Sequence, residues 1–294
     1  MSTDLERLLT RLEWRVIRRL SGRLQGRYRT NQRGPGIDFA GLRTYQEGDD
    51  ARHIDWNATA RLDEPQIRLF NEDRELTVWL VLDRSASMSA GAPGRGKDDV
   101  LAELALVMTR LFDGGGNRVG ALLYDNGMLR IVPPGFGRRH ALRIGAELER
   151  THDARSDTTT DLGAMLDAVN QVARRRALLL LISDFIGDGD WERSLRQLAR
   201  RHEIVALRVV DPADDELPDA GTIVVEDAET GEQLIVDSGD PEFRARYRVG
   251  VSERDAQVIA GMRRVGVPVH RIGTDRDLAE ALVEVVTRNQ DRRR

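Results

Sequence analysis

The stretch Leu76-Thr77-Val78-Trp79-Leu80-Val81-Leu82-Asp83-Arg84-Ser85-Ala86-Ser87 decides the fold. From Leu76 to Leu82 the residues are apolar or β-favouring and do not alternate with polar ones. That pattern predicts a strand buried on both faces, as in parallel sheets covered by helices. The run ends in an acid followed by two hydroxyls. Open α/β sheets bind ligands at the carboxyl ends of their strands, so these polar residues fall where a ligand would sit.

C-terminal to this stretch, helices and strands alternate. Val100–Phe112 reads as an apolar-rich helix, and Val119–Tyr124 and Met128–Val132 as strands joined by the turn Asp125-Asn126-Gly127. Helices are expected over 138–150 and Asp161–Arg174, then a buried strand Ala177–Ser183 running into Asp184. Trp191–Arg201, Ile204–Val210, Glu253–Arg264, Val267–Ile272 and Asp275–Arg288 continue the rhythm. Such alternation means βαβ crossovers and a doubly wound, mostly parallel α/β sheet, with the 119–132 hairpin supplying one antiparallel edge strand. A second hairpin, Thr222–Val225 with Gln233–Val236, interrupts the rhythm within residues 211–242. That stretch holds twelve acids and no Arg and reads as an acidic insertion.

N-terminal to the deciding stretch the chain changes character. Leu5, Leu8, Leu9, Leu12, Val16, Leu20 and Leu24 recur at helical spacing, with Arg7, Arg11, Arg15, Arg18, Arg19 and Arg23 on the other face. This basic amphipathic helix, assigned to residues 1–25, suits packing on its own domain, a partner or a membrane surface. Residues 26–75 are punctuated by Gly and Pro, with Ile67–Phe70 as a short strand, and form a β-rich segment. The α/β domain is then assigned to residues 76–290.

Composition narrows the function classes. The chain has 294 residues, 45 basic and 49 acidic side chains, no Cys, and one Lys, Lys97, against 44 Arg. Without Cys there is no disulfide, no thiolate zinc site and no Cys nucleophile. The longest apolar runs fall well short of the ~18–20 residues that cross a bilayer. A net charge of −4 argues against nucleic acid as a general partner. A cytoplasmic location is expected, peripheral to the inner face of the membrane if residues 5–24 lie on it.

Five residues fall at strand ends or helix starts as hard oxygen donors: Asp83, Ser85, Ser87, Thr160 and Asp184. Oxygen-only sets of this kind suit Mg²⁺, with Mn²⁺ or Ca²⁺ as alternatives. The plain structural alternative is that Ser85 and Ser87 merely cap the next helix and Asp184 merely caps a turn. Thr158 and Thr159 compete with Thr160 on sequence alone. Gly91-x-x-x-x-Gly96-Lys97 matches part of a phosphate-binding loop, but Asp98 stands where the hydroxyl for Mg²⁺ belongs, and Gly91 comes eight positions after Asp83, so the loop does not directly follow the strand. A flexible Gly/Pro loop is the better reading. The five His residues are scattered, and Ser85 and Ser87 lack the glycines of a nucleophile elbow.

Asp83-x-Ser85-x-Ser87, then Thr160 before a helix, then Asp184 after the next buried strand, resemble the metal-ion-dependent adhesion site of a von Willebrand factor type A domain. The resemblance implies that the hydroxyls bind the ion directly or through water and the acids act largely behind them. One coordination position would stay open for an acidic side chain of a partner. A second resemblance rests on Asp38-Phe39, Leu42-Arg43, Tyr45, Gly48-Asp49-Asp50, Arg52, Ile54-Asp55-Trp56, Ala60-Arg61 and Glu72-Asp73-Arg74-Glu75. This run is similar to the signature of the bacterial domain-of-unknown-function family 58 (DUF58). That likeness implies a non-enzymatic adaptor or chaperone role beside a MoxR-type AAA+ ATPase. Alternatives from other classes are a metal-dependent phosphoester hydrolase in the same pocket, with Asp161, Asp157 or His152 as base, and a membrane-surface scaffold using residues 5–24. The Asp/Arg alternation of the signature reads either as a docking surface or as an internal lattice of ion pairs.

Overall fold

The structure, a computed structural model, describes residues 38–47, 49–71, 76–89, 94–114, 116–125, 127–150, 160–187, 190–227 and 231–291. The expected helix over residues 5–24, the competing Thr158 and Thr159, and His152 and Asp157 lie outside them. The described residues fall into two compact units, one before Leu76 and one from Leu76 onward.

In the first unit, β1 (Asp38–Thr44) pairs antiparallel with the strand that closes the unit, across a bulge between Phe39 and Gly41. A 3-10 turn at Ala51–His53 is capped by Asp50, and helix α1 (Trp56–Leu62) by Asp55, which accepts from the Asn57 and Ala58 amides. α1 stops at Asp63, in the left-handed conformation, and β2 (Gln66–Asn71) follows. The sequence reading had one strand here; its partner β1 and the helix were missed. α1 carries no buried residue, so no apolar periodicity marks it, and its capping by Asp55 is the only local signal.

The second unit begins with β3 (Thr77–Asp83), α2 (Ala86–Ser89) and α3 (Lys97–Gly114). β4 (Arg118–Asp125), β5 (Met128–Gly135) and α4 (Arg138–Glu149) follow. Next come α5 (Leu162–Val172), β6 (Leu178–Ser183), α6 (Trp191–Arg201), β7 (Glu203–Val210) and a single turn, α7 (Pro212–Asp215). The hairpin β8 (Thr222–Glu226) and β9 (Gln233–Asp237) forms a sheet of its own, and α8 (Pro241–Val265), β10 (Val269–Gly273) and α9 (Leu278–Asp291) complete the unit.

The main sheet has the order β10-β7-β6-β3-β4-β5. All neighbours are parallel except β4 and β5, the expected antiparallel edge pair. This is the von Willebrand factor type A-like architecture. β3 shows why the strands read as unbroken apolar runs. Val78, Leu80 and Leu82 pack on one face against α3, α4 and α9, and Trp79 and Val81 on the other against α5, α6 and α8. With both faces covered there is no polar side to alternate with.

One helix is longer than its apolar period indicates. The expected Glu253–Arg264 is the second half of α8, which starts twelve residues earlier. Its buried residues, Val258, Gly261 and Met262, all lie in the half that was read. The first half carries no fully buried residue and gives no apolar period. Asp240 as N-cap, Pro241 at the first position and Gly266 as a left-handed C-cap mark the true ends.

Because β3 leads through α3 to β4 on one side, while β6 lies on its other side, the order reverses at β3 and β6. A crevice opens at the carboxyl ends of strands about such a switch point. Asp83 ends β3, and Asp184 directly follows β6.

Candidate metal centre

Asp83 is fully buried. Its Oδ1 accepts from the Ser85 amide at 3.1 Å, and its Oδ2 from the Ser183 hydroxyl at 2.5 Å. Ser183 in turn accepts from the Phe185 amide at 2.8 Å, so one hydroxyl ties the ends of β3 and β6 together. Ser85 and Ser87 sit at the start of α2 with their hydroxyl oxygens 3.1 Å apart, and both are buried. Asp184 is 2% exposed, and its Oδ1 accepts from the Ile186 amide at 3.0 Å. Thr160 is fully buried and immediately precedes Asp161, whose carboxylate caps α5 through the Ala164 amide at 2.9 Å.

Two backbone features shape the loop after β6. Phe185 has φ 56°, a left-handed conformation uncommon for a bulky residue and of the kind found at functional sites. Gly187 has φ +154°, and a Cβ there would lie 2.4 Å from the Thr160 carbonyl oxygen. Only a glycine lets the loop after β6 press against the loop before α5. The structure thus gathers four of the five sequence-derived residues, Asp83, Ser85, Ser87 and Asp184, at the ends of β3 and β6. It brings the backbone of the fifth, Thr160, against the loop that carries Asp184.

Burial, first, and the facing charge of Asp184, second, push the Asp83 carboxyl up to about 7, against the Ser183 and Ser85 hydrogen bonds, which favour its ionised form. A carboxyl raised this way gains from a cation. The donors fit a small divalent ion in one further respect. The serine oxygens stand close to the ~3.0 Å that separates adjacent ligands of an octahedron with bonds of about 2.1 Å. Among the described residues no three His, Asp or Glu side chains converge as a ready cage. The hydroxyls would have to supply the direct contacts.

Three side chains were missed from sequence. Ser183 lay at the end of a strand that was read for its apolar run. Arg208 is buried, and its Nε donates to the Asp184 carbonyl at 3.0 Å. Lys97, assigned to a flexible loop, is instead the first residue of α3 and only 3% exposed. Its ammonium lies 3.1 Å from Asp184 Oδ2 and 2.8 Å from Asp214 Oδ2. Burial works against that charge, but Asp184 and Asp214 outweigh it and hold its pKa above the ordinary lysine value. Its rarity was the available signal: it is the chain's one lysine.

The signature aspartates of the first unit are paired within that unit. Asp49 meets Arg43 at 2.7 Å, Asp50 meets Arg52 at 2.9 Å, and Asp55 meets Arg68 at 2.8 Å. Trp56 is 70% exposed. Among the described residues no helix is long and apolar enough to cross a membrane.

Comparison with known proteins places these observations. An uncharacterized protein of Mycobacterium tuberculosis is 38% identical over 278 residues, 95% of this chain and 87% of that protein. An uncharacterized protein of Mycobacterium avium is 34% identical over 157 residues, 53% of this chain and 91% of its own length. Among solved structures, the conserved hypothetical protein BatB from Bacteroides thetaiotaomicron aligns over 74% of this chain and 98% of its own, at 14% identity and a TM-score of 0.45. The VWA domain of SpRpn10 aligns over 72% and 95%, at 13% identity and a TM-score of 0.37. The family model "Protein of unknown function DUF58" matches residues 41–257, which run from the first unit through the β3 crevice into α8. By that match the chain belongs to the DUF58 family.

Proposed function

We propose that this protein is a non-enzymatic, divalent-metal-dependent protein-binding module. The carrying observation is the pair Asp83 and Asp184. Both are buried at the switch point of the sheet, and no guanidinium reaches either carboxylate among the described residues. The ion, Mg²⁺ for preference, would be held by Ser85, Ser87 and Thr160, with Asp83 and Asp184 balancing its charge. A bound ion would supply an electrophilic open position, and an Asp or Glu of a partner would complete it.

The hydroxyls orient the partner contact, and the buried acids keep the site electrically attractive to a dication. The partner class we favour is a MoxR-type AAA+ ATPase or a client that it remodels, on the strength of the family resemblance. Hydrolysis has less support. Of the three candidate bases, Asp161 is committed to capping α5. Co-purification with the ATPase tests the reading. Capture should need Mg²⁺, fail in chelator, and fail for Ser85→Ala plus Thr160→Ala. Undiminished capture by that variant would show that the metal is not the docking device.

A further inference from the structure

The chain uses Arg for 44 of its 45 basic residues, and its one Lys is buried against an acid of the candidate metal centre. The second partner of Lys97, Asp214, belongs to α7, the single turn that opens the acidic insertion. Two further contacts fasten α7. Its Asp214 carbonyl accepts from the Tyr247 hydroxyl of α8 at 3.0 Å, and Asp215 pairs with Arg271 of β10. Arg271 also meets Asp255 of α8 at 3.0 Å, and Asp255 is held by Arg208, which reaches the Asp184 carbonyl. Asp184 is therefore joined to α7 and α8 by two chains of charged groups, the shorter of which is Lys97 alone.

We propose that Lys97 is the built-in counter-charge of the metal centre and that it couples metal occupancy to α7. This deepens the metal-binding reading above and rests on it. A compact ammonium with three donors can be shared between two carboxylates and handed from one to the other, which a rigid guanidinium fork does less readily. Without a dication, Lys97 neutralises Asp184 and shares itself with Asp214. When a dication binds among Asp83, Ser85, Ser87 and Thr160, Asp184 turns its charge toward the ion. Like-charge repulsion then drives the ammonium onto Asp214. The two arrangements of one side chain are the two states that coupling requires. Lys97 is thus a positioning residue: it sets how tightly the centre holds its ion and signals occupancy to the start of the acidic insertion.

The test is Mg²⁺ titration calorimetry on the full chain as wild type, Lys97→Met, Asp214→Asn and the double variant, with hydrogen exchange followed over residues 211–215. Lys97→Met should bind Mg²⁺ about tenfold more tightly, the equivalent of about 1.4 kcal/mol. Asp214→Asn should bind about threefold more weakly, because the ammonium then belongs to Asp184 alone. In the Lys97→Met background Asp214→Asn should change nothing. Mg²⁺ should alter exchange over 211–215 in wild type and not in either single variant. Asp214 is 41% exposed, so its variant should fold even if Lys97→Met does not, and then decides alone through affinity and exchange. Lys97→Met binding within twofold of wild type, or equal effects of Asp214→Asn in both backgrounds, would overturn the coupling and leave the metal centre standing. A wild-type chain that binds no Mg²⁺ would remove the metal reading and this inference with it.

Discussion

In the unit before Leu76, the signature aspartates Asp49, Asp50 and Asp55 each face an arginine at 2.7–2.9 Å. At the carboxyl end of the main sheet, Asp83 faces two hydroxyl-bearing serines and Asp184 faces one lysine. The chemical group is the same and the outcome is opposite. Side-chain hydrogen bonds from Arg52 and Arg68 hold the Asp50 and Asp55 carboxyls below the usual range, whereas burial and Asp184 raise Asp83 to about 7. In a chain so rich in arginine, Asp83 is buried with no guanidinium on its carboxylate among the described residues, and that burial disfavours its ionised form. The first region holds three separate Arg–Asp pairs beside an exposed Trp56. The second is a buried pair of acids met by hydroxyls, backbone amides and one ammonium.

The largest expected effect concerns pH. Without metal, Asp83 binds its proton more tightly folded than unfolded, so its contribution to stability is full below about pH 4 and is lost as pH rises through about 7. In chelator, Asp83→Asn should be more stable than wild type at pH 8, by on the order of a few kcal/mol, and the gap should shrink clearly by pH 5. Denaturant unfolding at the two pH values checks this, and a gap that does not change with pH would break the contrast.

Gly187→Ala comes next. It forces a Cβ toward the Thr160 carbonyl at a strained φ, and should cost about 1–3 kcal/mol. It should also weaken Mg²⁺ binding. Loss of stability with full Mg²⁺ affinity would show that the loop contact matters to folding but not to the centre. The smallest effect is at Asp50→Asn. Its partner Arg52 is 88% exposed, so the pair is solvated and the thermal midpoint should not move. A clear fall would mean that the first unit is less self-sufficient than its ion pairs suggest.

The sheet was legible because β3, β4, β6 and β7 are buried on both faces, and a run such as Leu178–Ile182 has no other use. The candidate donors were legible because Asp83, Ser85, Ser87, Thr160 and Asp184 stand at strand ends or helix starts in an order that one known site shares. What stayed hidden depends on contacts far apart in the chain. Lys97 meets Asp184 across 87 positions and Asp214 across 117. Nothing local to Gly96-Lys97-Asp98 distinguishes a buried ammonium from a loop lysine. The Ser183 hydroxyl is equally silent, since its partner Asp83 is 100 positions away. The first half of α8 hid for a different reason: it buries nothing, and apolar period was the signal in use.

The central claim is that the crevice between β3 and β6 is a divalent-metal centre. Titration of Mg²⁺ into the chelator-stripped chain by calorimetry at pH 8, wild type beside Asp83→Ala, tests it most directly. Saturable one-site binding by wild type, weakened at least about a hundredfold in the variant, is the predicted result. Equal Mg²⁺ affinity in the two proteins, or no binding by either, would contradict it.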